Sequence, residues 1–124
     1  MRWGVVDFHT SKAYILLMFT IIRSSIFQRE LPVYMDDDEY AALQGFLMQH
    51  PEAGDVIPGA GGVRKLRWKR PGSGKRGGVR VIYYASYRPN ELWMLTIYAK
   101  AKHDNIPAHV AKALKERFSG DSQT

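Results

Sequence analysis

The sequence predicts an α+β domain: a twisted, mostly antiparallel sheet packed on one side by helices, in the order β-α-α-β-β-β-α. Two observations carry this. Branched and aromatic residues fill the stretches 63–68, 78–86 and 92–100 with the composition and alternation of strands. Apolar residues recur at three- and four-residue spacing between Tyr40 and Leu47 and again at Val110, Leu114 and Phe118, the stripe of a helix packed by one face.

Taken in order, Phe19 to Ile22 reads as a buried strand, followed by a short helix from Ser25 to Leu31 that Pro32 closes. Asp36 and Glu39 form a capping-box pair, with further acids in the first turn where the helix dipole favours negative charge. The stripe Tyr40, Leu43, Phe46 and Leu47 then runs until His50 and Pro51 end the helix. Gly54 to Gly62, glycine-rich and carrying Pro58, reads as a loop. Val63–Trp68 and Gly78–Ser86 form a hairpin whose glycine-rich cationic tip is Lys69–Gly77. A turn at Arg88–Asn90 leads to the third meander strand, Leu92 to about Lys100, and Pro107 opens a last helix spanning roughly 107–118.

At 124 residues the chain has the length of one domain. Residues 18–118 hold all the elements, 119–124 form a polar tail, and 1–17 form an N-terminal extension. Met18 stands immediately before the first strand, so translation starting there is one expectation and a genuine extra segment the other. Hydrophobic content of 45% marks a packed protein rather than a disordered one. The absence of cysteine excludes disulfides, thiolate metal sites and a cysteine nucleophile, and suits a cytoplasmic location. The apolar run Tyr14–Ile22 is about half of what a spanning helix needs, so no membrane association is expected.

The net charge of +6 points to an acidic partner, nucleic acid first. Its distribution sharpens this. No acidic residue lies between Asp55 and Glu91, while Arg64, Lys65, Arg67, Lys69, Arg70, Lys75, Arg76, Arg80 and Arg88 supply half of all Lys and Arg. A solvated face would mix in acids; a phosphate-binding surface would not. Lys65 and Arg67, two apart on one strand, leave the same face of the sheet. Arg80 joins them if the hairpin register allows, and Lys100 and Lys102 lie where the last strand ends. Trp68, Tyr83, Tyr84, Tyr87, Trp93 and Tyr98 interleave with the cations, and an exposed ring among them would stack an unpaired base. Alternation sends about half of them into the core instead.

Gly72, Gly74 and Gly77 satisfy a dinucleotide-binding glycine spacing, but they lead into a strand rather than a helix N-terminus, so that chemistry is excluded. His9, His50, His103 and His109 share no metal-ligand spacing, and neither a metal nor any other cofactor is expected. His103, close to the end of the last strand, is a candidate proton carrier.

The segments Gly62–Trp68, Gly74–Gly78, Arg80–Tyr84 and Leu95–Tyr98 together resemble the HigB branch of the RelE toxin superfamily, over about residues 18–118. The resemblance implies the toxin of a type II toxin–antitoxin module: a metal-independent endoribonuclease that cuts mRNA in the ribosomal A site and is neutralised by a cognate helix-turn-helix antitoxin. It implies that Lys65, Arg67 and Arg80 are catalytic, activating the ribose 2′-OH and holding the adjacent phosphate. Arg64, Lys69, Arg70, Lys75, Arg76, Lys100 and Lys102 would bind the RNA backbone, with Tyr83 and His103 as further candidates. Many RelE relatives carry a tyrosine where this chain has Ile106-Pro107-Ala108, so the general acid stays unassigned. A noncatalytic basic nucleic-acid-binding module is the alternative that residue types alone leave open.

Overall fold

The computed structural model describes residues 19–69, 78–102 and 105–122. They form a five-stranded sheet and three helices: β1 (Thr20–Arg23), α1 (Ser25–Tyr34), α2 (Asp37–Gln49), β2 (Asp55–Val56), β3 (Arg64–Trp68), β4 (Val79–Tyr87), β5 (Asn90–Ala99) and α3 (Ala108–Ser122). The strand order is β1-β5-β4-β3-β2; β1 runs parallel to β5 and every other pairing is antiparallel. The α+β class and the meander β3-β4-β5 are therefore as the sequence predicts.

Four expectations are corrected. Helices cover both faces of the sheet, not one. Against one face Phe27, Leu31, Leu43 and Leu47 from α1 and α2 pack on Leu66, Val81, Tyr83, Leu92, Met94 and Ile97. Against the other, Ala111, Leu114 and Phe118 from α3 join Ala60, Val63, Ile82, Trp93, Leu95 and Tyr98. Second, the stretch after α2 is not all loop: Asp55 and Val56 pair with Lys65 and Arg64 and add an edge strand too short to carry a pattern. Third, α1 continues through Pro32 to Tyr34, because proline removes one amide donor near the helix end while Leu31 and Met35 stay buried and Leu31 O still accepts from Met35 N at 3.1 Å. Helix α3 likewise runs on past its apolar stripe to Ser122.

Local signals fix the helix starts. The Ser24 hydroxyl accepts from Phe27 N at 3.0 Å and donates to Leu95 O at 2.7 Å, so the cap of α1 is tied to the sheet. At α2 the capping box is present, with Glu39 N to Asp36 Oδ1 at 2.8 Å and Asp36 N to Glu39 Oε1 at 3.1 Å.

The β4–β5 register slips by one residue: Ile82 pairs with Thr96 and Tyr83 with Met94, leaving Leu95 as a bulge. Before it, Leu92 and Met94 face α1 and α2; after it, Ile97 does. The slip reverses the parity of β5, so Tyr98 lies on the α3 face opposite Arg80.

Candidate nucleic-acid interface

Strand alternation decides which cations meet. In the β3–β4 pairing Arg67 is the direct partner of Arg80, and Lys65 that of Ile82. Ile82 belongs to the α3-side core, so Lys65, Arg67 and Arg80 all leave the sheet on that side. The hairpin register thus assembles the expected trio. Arg67 is exposed, Lys65 half-buried, and Arg80 only 5% exposed, backed by Tyr98 across the next strand pair. Directly opposed like charges destabilise a strand pair by a few tenths to 1 kcal/mol. A buried arginine adds a desolvation cost.

A cleft of about 330 Å³ opens beside the trio, lined by Asp55, Val56, Ile57, Pro58, Lys65, Arg67, Asn105, Ile106 and Ala108. Its walls come from β2, from the loop that follows it, and from the start of α3. The Lys65 ammonium donates to Asn105 Oδ1, a bond spanning forty positions that holds the amine at the cleft. Helix α3 begins there, with Pro107 O accepting from Val110 N and Ala111 N, and its N-terminal end adds partial positive charge. Two cations, a third behind them and a helix N-terminus suit an anion.

Other candidates are placed elsewhere. Arg64 is one residue out of phase with Lys65 and points to the opposite face, where its Nη1 donates to Gly54 O at 2.8 Å and Glu52 O at 3.2 Å. That guanidinium braces the α2–β2 connection rather than facing the cleft. Tyr83 is fully buried on the same opposite face. Its hydroxyl accepts from Gly54 N at 2.9 Å and donates to Pro51 O at 2.8 Å, and burial pushes its pKa up. It is a staple, not a stacking platform. Lys69, Lys100 and Lys102 are exposed beyond the ends of β3 and β5. Arg70, Lys75, Arg76 and His103 lie outside the described residues. Of the remaining aromatics, Trp68 packs on Phe46 at 5.6 Å, and Trp93 sits between Tyr84 and Phe118 at 5.1 and 5.2 Å. Trp93 is buried, and Trp68, Tyr84 and Phe118 pack partly buried against the two cores. Among the described residues no three His, Asp or Glu side chains converge as a metal site, and no helix is long and apolar enough to cross a membrane.

Sequence reasoning missed Asn105 and Asp55. Both reach the cleft through tertiary pairing, one across the β5–α3 connection and one through a two-residue strand, and neither carries a local signal.

No family model matches the sequence. Among solved structures, the chain is similar to a double-mutant form of the E. coli toxin RelE in the free state, with a TM-score of 0.56 and 9% sequence identity. The match covers 79% of this chain and 97% of that one. The fold is RelE-like.

Proposed function

We propose that this chain is the toxin of a toxin–antitoxin module, of the HigB branch, and that it cleaves mRNA held in the ribosomal A site. The observation that carries the reading is the Arg67–Arg80 cross-strand pair with Lys65 on the same face, beside the cleft. Three cations on one face, two of them directly opposed, fit a scaffold that holds an RNA phosphate. The RelE-like fold supports the same reading.

In this mechanism no cofactor takes part. Lys65, oriented by Asn105, helps remove the proton of the 2′-OH or stabilises the charge that develops on it. The oxygen attacks the neighbouring phosphorus, and the 5′ oxygen of the next nucleotide leaves. Arg67 and Arg80 hold the non-bridging oxygens as negative charge builds up, which preorganised cations do without reorganisation at the moment of reaction. Lys69, Lys100 and Lys102, exposed around the trio, follow the strand backbone. The cognate partner is a helix-turn-helix antitoxin whose acidic surface competes with RNA for this face, in the cytoplasm where ribosomes are found.

The test is induced expression in a bacterial host of the wild type beside the Lys65→Ala/Arg67→Ala/Arg80→Ala variant, with growth followed and transcript ends mapped. Arrest with cuts inside translated codons, lost in a variant whose circular dichroism is unchanged, is the expected result. Unimpaired growth and intact mRNA from folded wild type would leave the noncatalytic RNA-binding module instead.

A further inference from the structure

The cleft beside Lys65 and Arg67 holds more than an anion needs. Resting on the RNA-cleavage reading above, we propose that it is a subsite for one nucleobase next to the bound phosphate, and that Asp55 selects guanine there.

The wall formed by Val56, Ile57, Pro58 and Ile106 is apolar, which suits the face of a planar base and offers a phosphate nothing. At about 330 Å³ the cleft lies at the lower end of ligand-sized sites, enough for one base rather than a stacked run. Asp55 is the unexpected member. It is the last acid before a span of 35 residues, 56–90, without one, and its carboxylate repels the ligand that Lys65 and Arg67 attract. Although Lys65 is its register partner, the ammonium bonds Asn105 instead. Among the described residues Asp55 makes no ion pair. An acceptor held in a basic cleft calls for a ligand bearing donors.

Asn105 completes the pattern. An ammonium only donates, so the amide oxygen must face Lys65, which leaves the Asn105 NH2 to donate at the rim of the cleft. The cleft therefore presents a bidentate acceptor and a separate donor. Guanine alone among the four bases has two adjacent donors, N1–H and the N2 amine, with an acceptor, O6, beside them. Adenine and cytosine show a carboxylate a single exocyclic amine, and uracil a single imide N–H.

The experiment titrates the full chain with GMP, AMP, CMP and UMP, followed by amide chemical shifts, for wild type, Asp55→Asn and Arg67→Ala. GMP is expected to bind wild type roughly tenfold more tightly than the other three, the discrimination of one good bidentate contact. Asp55→Asn should bring GMP to the level of the rest, and Arg67→Ala should weaken all four together while keeping their ratio. Asp55 is an exposed edge-strand residue, so its variant folds. Equal affinity of wild type for the four nucleotides, no binding of GMP, or a guanine preference that survives Asp55→Asn overturns the subsite. Transcript-end mapping separates this from the parent reading. Cuts whose flanking bases are the same in wild type and Asp55→Asn leave the toxin standing and remove the subsite. Absence of cuts removes the toxin, while the titration still reports on the cleft.

Discussion

Side chains one position apart in this sheet have opposite fates. Tyr83 joins the Gly54 amide to the Pro51 carbonyl inside the core, and an added Cβ at Gly54 would meet its ring at 2.8 Å. Tyr83→Phe leaves both backbone groups unsatisfied and is expected to cost about 1–3 kcal/mol, read as a lower urea midpoint. The raised pKa of Tyr83, caused first by burial, also sets a pH dependence. The folded state keeps this proton longer than the unfolded chain. The contribution is therefore complete below about pH 10 and is lost as pH rises through the folded value. Urea midpoints measured across that range should fall less steeply in Tyr83→Phe. The opposite sign is expected at Arg67, where a directly opposed Arg80 makes the native pair repulsive. Arg67→Thr should raise stability by about 0.2–1 kcal/mol at low salt, and by less at high salt, while abolishing growth arrest. A destabilised Arg67→Thr protein would show that the pair is held by compensating contacts.

Among the elements, the hairpin β3–β4 depends on Gly78. Its φ is +60°, and a Cβ there would collide with the Trp68 carbonyl and Lys69 Cα, both backbone. Gly78→Ala is expected to cost on the order of 1–3 kcal/mol and to disturb the register that sets Arg67 against Arg80, visible as lost activity alongside a lower melting temperature. Much at this scale was legible in the sequence. The Asp36–Glu39 box fixes the start of α2, and period-two alternation locates β3 and β4 within a residue or two. The same alternation already separates Arg64 from Lys65 and Tyr83 from Arg80, but clustering of charge and aromatics drew Arg64 and Tyr83 into the expected site. Strand β2 was not legible, because two residues held only by a partner strand have no period. Asn105 was not legible either, since its role depends on where β5 delivers the chain to α3. The unbroken run Leu92–Leu95 did signal a strand covered on both faces, which a helix layer on one side does not satisfy.

For the molecule as a whole, the two faces of the sheet differ in how they are closed. One is covered by α1 and α2 over a core that includes Phe27, Leu43, Leu47, Tyr83 and Met94, all fully buried. The other, which bears the cleft, is closed by α3 and the loop around Ala60 and Val63, with Leu114 and Phe118 only partly buried. Opening should begin on the cleft side. Hydrogen exchange is expected to release α3 amides well before those of β4 and β5, and equal protection across the three would contradict that order.

The bulge at Leu95 gives the chain a vulnerability of length rather than of identity. Upstream of it β5 keeps one phase and downstream the other, so with Leu95 present Tyr98 stands behind Arg80 only because one residue is unmatched. Many side chains at position 95 would leave that count unchanged. Deleting the position would restore an ideal ladder with Tyr98 still opposite Arg80, whereas one residue inserted between Leu95 and Tyr98 would turn Tyr98 toward α1 and α2 and leave Arg80 facing the wrong neighbour with every cation of the trio still present.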